Sequence, residues 1–488
     1  MTSYAIAQRL NTRALQALLI LVGAILAISC GMWQAVSPKW ALAATLAILL
    51  TALAVLKMEA AIVFFALTAW MSLGPFLTAS SRSGYEDGLY SSELMAGILI
   101  AVWGTRLILL TLERKKVPLQ RSPVDLPLLC LVGVAVFSFI SAQFTWDYRV
   151  PTAHRYYITQ IAELGLVCLP VAVCLLISNC LKDMRFLKAT YWSVLAVGAF
   201  GFCVMCPWIK IPFSFRMMWA GLLPVPVISF LYAYVLVQKR FDSKLLVAIC
   251  MLAVMLVVQY RYVSWVVMWL SASVSLCAIS WCRSKKLFAA VFCCVALSIA
   301  VLKADLFRGI LDAEAAEGSI QRFAIWASCI KMTLARPLWG IGPDNFYPYY
   351  SHYYADVFQT LDVSSPHSNY FQILVQYGFL GLGAFLWFLY AGYRMLVRFY
   401  RSAAAEGTWE KTVLLGATGL FAGMACAAGL ADYLFPARAN RGLLSFGTTV
   451  YTWIVLGLAI ALHRTLSERS RERSDDSPDA NELVETEG

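Results

Sequence analysis

Residues 443–462 read LLSFGTTVYTWIVLGLAIAL, twenty residues without a single charge. The apolar side chains run continuously rather than in alternation, which selects a helix over a barrel strand. A stretch of that length matches the hydrocarbon thickness of a bilayer, which takes about 20 residues of helix to cross. The rest of the chain repeats the pattern. Further apolar runs fall at 14–36, 40–56, 58–78, 93–112, 124–142, 156–180, 187–206, 218–237, 244–259, 263–282, 286–303, 368–393 and 412–431. Across 488 residues 60% are hydrophobic and only 14% charged, with a mean hydropathy of +0.70. A soluble domain carries roughly 25% charged residues, so there is too little polar material here for a water-facing skin. Soluble enzymes, disordered chains and fibrous chains are excluded. The fold class expected is all-α: a polytopic membrane protein with about 12–14 transmembrane helices.

The net charge of +11 is then a statement about orientation. Arg114, Lys115, Lys116 and Arg121 share one face with Lys182 and Arg185, Lys239 and Arg240, Arg283, Lys285 and Lys286, and Arg398 and Arg401. Basic residues in short loops mark the cytoplasmic side, so both termini are expected inside and nucleic acid is not expected as a partner. The run at 14–36 is longer than the roughly 7–15 residues of a signal-peptide core and is read as an uncleaved first span. Most of the fourteen cysteines lie within apolar runs, where the thiol behaves as a small hydrophobe. The Cys203–Cys206 pair has no second pair or neighbouring His and is read as filler.

Four regions follow from these runs. Residues 1–303 form N-terminal membrane helices, 304–367 a large loop on the face opposite the termini (periplasmic under the resemblance given below), 368–463 C-terminal membrane helices, and 464–488 a disordered cytoplasmic tail. Within the loop, Ile320, Phe323, Ala327, Ile330 and Leu334 recur at helical spacing. They predict an amphipathic helix over 319–334 that rests on the bilayer or roofs a cavity. An aromatic-rich stretch from Trp339 to Phe358 follows, suited either to stacking on sugar faces or to packing the loop on itself.

Of four histidines, His463 closes the last span at the inner face, His154 sits in a short outer loop beside Arg155, and His352 lies among tyrosines. His367 stands at the lipid–water boundary, just before a long apolar helix. Arg216, Arg261, Arg308, Arg322, Arg336, Arg438 and Arg441 lie on the face that positive-inside sorting disfavours. Arg261 is pressed against hydrocarbon by the near absence of a loop, as Gln259-Tyr260-Arg261-Tyr262. Guanidinium groups grip phosphate oxygens bidentately. Glu86-Asp87 is a poor metal site, and the chain has no zinc spacing, P-loop or dinucleotide fingerprint. Neither metal nor cofactor is expected.

Three segments occur in order: RFAIW (322–326), RPLWGIGPDNF (336–346) and PHSNYFQILVQYGFLGL (366–382). Together they resemble the signature region of the bacterial O-antigen ligase and Wzy-type O-antigen polymerase superfamily. The family pattern is an Arg with a Trp four later, a Pro-x-x-Gly-x-Gly-x-x-x-Phe segment, and a His motif leading into a helix with Gly-x-x-Gly. The resemblance implies a GT-C-like membrane glycosyltransferase. Its donor would be a glycan on undecaprenyl diphosphate. Its acceptor would be lipid A-core or another glycan, on the periplasmic side of the inner membrane and among membrane lipids. It implies catalytic roles for His367 and Arg322, and for Arg261, although Tyr260 stands where the family commonly has Ser. Arg216, Arg336, Trp326 and Asn369 are expected to bind substrate. Undecaprenyl diphosphate is already a good leaving group. What remains is neutralising its charge, which arginines do, and activating an acceptor hydroxyl, which a neutral histidine with a reference pKa near 6.5 can do. The pattern leaves ligase and polymerase both open. A flippase is disfavoured because the notable polar groups gather at the outer face and no internal repeat is seen.

Overall fold

The computed structural model describes residues 38–475 apart from 74–77, 80–86, 116, 118, 153–155, 207, 209–221, 263–265, 303–318, 355–364, 404–406 and 439–444. The expected first span at 14–36, Glu86, His154, Arg155, Arg216, Arg308 and Arg441 lie outside these residues.

The chain is all-α. In order the helices are α1 (Pro38–Leu56), α2 (Met58–Thr68), α3 (Ser91–Leu112), α4 (Asp125–Phe144), α5 (Tyr156–Cys180), α6 (Met184–Met205), α7 (Pro224–Val237) and α8 (Ser243–Tyr262). They continue with α9 (Val266–Arg283), α10 (Lys285–Leu302), α11 (Ser319–Ala335), α12 (Phe346–Tyr353), α13 (Asn369–Ser402), α14 (Thr408–Leu430) and α15 (Phe446–Asp475). Between α2 and α3 a two-residue ladder pairs Thr78 with Gly88 and Ala79 with Asp87. Nine of the described helices are long and apolar enough to cross a membrane, which makes this a multi-pass membrane protein.

The described part of the stretch 443–462, residues 445–462, supplies the centre of the bundle. Its span in α15 is 89% buried, whereas that of α3 is 17% buried and faces outward. Trp453 donates through Nε1 to Leu434 O at 2.9 Å and stacks on Phe388 at 5.3 Å. Tyr451 donates to Ala66 O at 3.0 Å. Helix α15 packs on α5, while α14 packs on α7, α9 and α13.

Several boundaries differ from the sequence expectation for identifiable reasons. The helix that opens the run at 58–78 ends at Thr68; Ser91 then ties the following segment to α3 through Leu73. Within the described part of the run at 218–237 the helix starts at Pro224, whose ring suits the first turn. The last helix runs on to Asp475, so residues 464–475 are helix rather than disordered tail. Its extension is held by Arg464, which donates to Ser178 O and Gln120 O, and by Glu468, which accepts from Gln120 Nε2. Arg106, a charge inside a span, donates to the carbonyls of Ala54 and Val55 at 2.7 Å each and so closes the C-terminus of α1.

One break in regularity positions everything that follows. Within α13, Gly378 has φ 67° and ψ −166°, a backbone region open essentially to glycine alone. The break frees two carbonyls before it and two amides after it. Segment 337–342 satisfies them all: Ile341 N and Gly342 N donate to Val375 O and Gln376 O, and Phe379 N and Leu380 N donate to Pro337 O and Leu338 O. Irregular backbone at membrane depth is tolerated only when protein satisfies it in this way.

Candidate functional site

The loop 337–346 is wired to the membrane helices by a chain of buried amides. Gln143 of α4 donates to Gln160 of α5 at 2.6 Å. Gln160 donates to Asn345 at 2.7 Å, and Asn345 donates to Ile341 O at 2.7 Å. Ser138 of α4 directs its hydroxyl between Trp339 O and Gln376 O. Gly340 and Gly342 have φ of 69° and 96°, and a Cβ on Gly340 would lie 2.5 Å from the backbone of Gln376. The glycines of the Pro-x-x-Gly-x-Gly segment are thus required by the close approach of loop to broken helix.

Beside this wiring lies a buried acid. Glu163, two turns into α5, is 1% exposed. One of its oxygens accepts from Gln372 Nε2 and Gln376 Nε2 of α13, and the other accepts from Arg438 N at 2.7 Å. The Arg438 guanidinium reaches Asp344 at 2.8 Å. One carboxylate therefore gathers α5, the first half of α13 and the segment after α14, and an ion pair closes the loop over it. A narrow cleft of about 10 Å3 opens here, its polar walls formed by Glu163, Asp344, Tyr347, Ser365, Gln372 and Gln376.

His367 stands at the rim, half-buried, with φ 50°. Asp344 across the cleft has φ 58°. Left-handed backbone on a residue with a side chain costs of order 1–3 kcal/mol and persists only where surroundings enforce it. Here they do. His367 N donates to Ser365 Oγ at 3.1 Å, and Ser365 Oγ donates to Asp432 at 3.0 Å. Trp326 Nε1 donates to Pro366 O at 3.0 Å while its ring stacks on Phe371 at 4.8 Å. The next residue, Ser368, stands at the N-cap position of α13 and directs its hydroxyl to Ala428 O rather than to the helix.

Trp326 also places Arg322. Both lie on α11 four residues apart, hence on one helix face one turn from each other. Trp326 touches the residue before His367; the Arg322 side chain itself lies outside the described residues. Arg261 ends α8 on the same face of the bundle, exposed, with the Tyr262 ring 6.0 Å away. Tyr260, where the family commonly has Ser, is buried and shares a hydrogen bond with Ser273.

The other expected substrate-binding residues are engaged within the protein. Trp326 holds the His367 loop, as described. Arg336 donates to Thr145 at the end of α4 and lies over the Tyr349 ring at 5.3 Å. Asn369 is fully buried. Its Oδ1 accepts from Leu434 N and Phe435 N at 3.0 and 3.2 Å, and its Nδ2 donates to Phe435 O. Asn369→Ala should leave those three backbone groups unpaired. A lowered unfolding temperature in detergent is expected, corresponding to at least about 2 kcal/mol. Unfolding indistinguishable from wild type would remove this clamp from the account.

The aromatic stretch packs chiefly on itself. Phe346, Tyr349 and Tyr350 are buried in a small core with Ile325, Cys329 and Met332 of α11. The Tyr349 hydroxyl accepts from Asp147 N at 3.0 Å, and Tyr353 donates to the Asp147 carboxylate. The Tyr353 hydroxyl, with the Arg149 amide, holds the Asp147 carboxyl below its usual range. Burial pushes the Cys329 thiol up, so it is inert as a nucleophile. Among the described residues no group of three or more His, Cys, Asp and Glu is arranged to hold a metal ion.

Comparison with known families agrees with the resemblance read from the three motifs. Residues 246–386 match the family model Wzy_C, described as O-Antigen ligase. The match supports O-antigen-ligase-type glycan transfer at the level of the family. No curated protein matches the chain. The matched segment contains Arg261, Arg322, Trp326, Arg336, His367 and Asn369. It leaves out Glu163, Asp432 and Arg438, which the fold brings to the same cleft. Those three were not among the expected site residues. Glu163 carries a legible signal, being a lone acid inside an apolar run, and Arg438 carries another as one of the outer-face arginines; Asp432 carries none without the fold.

Proposed function

We propose that this protein transfers a glycan from undecaprenyl diphosphate to an acceptor hydroxyl on the periplasmic side of the inner membrane, as a surface-polysaccharide ligase with lipid A-core or a related glycan as acceptor. The observation that carries the reading is the enforced left-handed backbone of His367. It is pinned from one side by the helix of Arg322 and Trp326 and from the other by Ser365 and Asp432.

In this reading the acceptor oxygen attacks the anomeric carbon from the face opposite the diphosphate, and configuration inverts. The bond from that carbon to the diphosphate oxygen breaks, and lipid diphosphate departs without prior protonation. His367 takes the acceptor proton. Arg322 and Arg261 hold the diphosphate and stabilise the charge it gains, with Arg216 a further candidate at the mouth. Arg336, Trp326 and Asn369 support the loop rather than touch sugar. No step calls on a metal or cofactor.

A polymerase of the same superfamily would use the same donor and the same residues, so the acceptor decides. Deleting the gene separates the two. Loss of a ligase leaves long glycan chains accumulated on the carrier lipid, which is the expected result. Accumulation of single lipid-linked repeats would reassign the protein as a polymerase.

A further inference from the structure

At the opposite end of the bundle from His367, α6, α7, the start of α8 and α14 surround a second hollow, of about 330 Å3. Its volume falls in the range of small-ligand sites, roughly 300–1,000 Å3. Its walls are aromatic and polar: Tyr191 and Trp192 of α6, Tyr234 of α7, Lys244 of α8 and Trp409 of α14. None of these residues belongs to the cleft described above.

Three features point to what the hollow holds. The Trp409 indole nitrogen is buried and has no hydrogen-bond partner among the described residues. An indole N–H has only donor capacity, so it calls for an acceptor. Lys188 lies over the same indole ring at 5.5 Å, and Lys244 stands in the wall, both with exposed side chains. The one carboxylate in the wall, Asp242, is committed elsewhere: it caps α8 through Leu245 N at 2.8 Å and accepts from Gln238 at 3.4 Å. A buried donor and a lysine thus stand on one hollow, with a second lysine over the same indole ring and the lining carboxylate engaged in the cap of α8.

We infer that this hollow binds the phosphodiester headgroup of an anionic phospholipid from the leaflet on the basic-loop side. The Trp409 N–H and the two lysines would take phosphate oxygens, and the exposed Trp192 ring would lie along the glycerol and upper acyl chain. Basic pockets between membrane helices on that side suit such headgroups. The inference uses only the membrane-spanning fold and stands apart from the reading of His367.

The test uses the full chain purified in detergent and reconstituted into vesicles of phosphatidylcholine with or without phosphatidylglycerol. Retained lipid is counted by native mass spectrometry after re-extraction. The wild type is expected to retain phosphatidylglycerol in preference to phosphatidylcholine. The double variant Lys188→Gln/Lys244→Gln should lose roughly tenfold in that retention, and Trp409→Phe, which keeps an aromatic side chain but removes the donor, should weaken it as well. Both changes are conservative in size, and size-exclusion elution checks that the variants remain folded. Equal retention by the wild type and all variants overturns the site. Thermal stabilisation of lipid-free protein by inorganic phosphate alone, with no lipid retained, overturns the lipid assignment in favour of a free-phosphate site.

Discussion

Gly378→Ala is expected to lose at least about 3 kcal/mol of stability and, in a cell, to deplete the folded protein. The estimate has two parts. The backbone at Gly378 lies where any side chain costs roughly 1–3 kcal/mol. An added Cβ would also collide with the carbonyl of Leu338, which receives the hydrogen bond of Leu380. Relief requires moving segment 337–342 away from α13, and each exchange bond so lost removes about 0.5–1.5 kcal/mol. Gly383→Ala is the matched control. It lies one turn and a half further along the same helix with open space around its Cβ position, so alanine there should be neutral or stabilising by up to about 1 kcal/mol. Thermal unfolding of the two variants in detergent gives the comparison. Equal stability would mean the break in α13 is not what holds the loop.

The Gly-x-x-Gly of the third motif acquires a physical meaning from this. Gly378 breaks the helix and exposes peptide groups that only segment 337–342 reaches. Gly340 allows that segment to approach. Two motifs separated in sequence are therefore the two halves of one joint.

Much of the fold is legible in the sequence because lipid imposes a simple rule. Continuous apolar runs such as 443–462 have no alternative but to be helices, and nearly every described run is one. What failed to read through is two-sidedness. The stripe of Phe323, Ile330 and Leu334 correctly announces a helix in the loop, yet these side chains are 64%, 46% and 64% exposed. The face that packs on the protein is instead Ile325, Cys329 and Met332. A helix at a membrane surface has apolar neighbours on both sides, and periodicity does not say which is lipid. The same limit applies to site residues. Arg336, Trp326 and Asn369 sit in the right motifs, but a motif does not distinguish a residue that faces substrate from one whose hydrogen bonds hold the loop. Glu163 shows the converse. It lies some 200 residues before His367 in sequence, and only the packing of α5 against α15 and the hydrogen bonds of Glu163 to α13 bring it under the cleft.

His367→Ala is expected to lower transfer by about 10²–10⁴-fold, the usual contribution of a positioned general base, with little change in stability. His367 N and its hydrogen bond to Ser365 survive the substitution, as do the Trp326–Pro366 contact and the Ser368 bond to Ala428 O. The loop should therefore keep its shape while losing its imidazole. Arg322→Ala should act differently. Removing a guanidinium from a diphosphate weakens the donor in the ground state as well as in the transition state, so donor affinity and rate should fall together.

The most direct measurement reconstitutes wild type, His367→Ala and Arg322→Ala in vesicles. Donor binding and transfer of a lipid-linked glycan to an acceptor are then followed for each. The account predicts near wild-type donor binding with transfer reduced by at least about a hundredfold for His367→Ala, and loss of both for Arg322→Ala. Wild-type transfer by the stably inserted variants would contradict it.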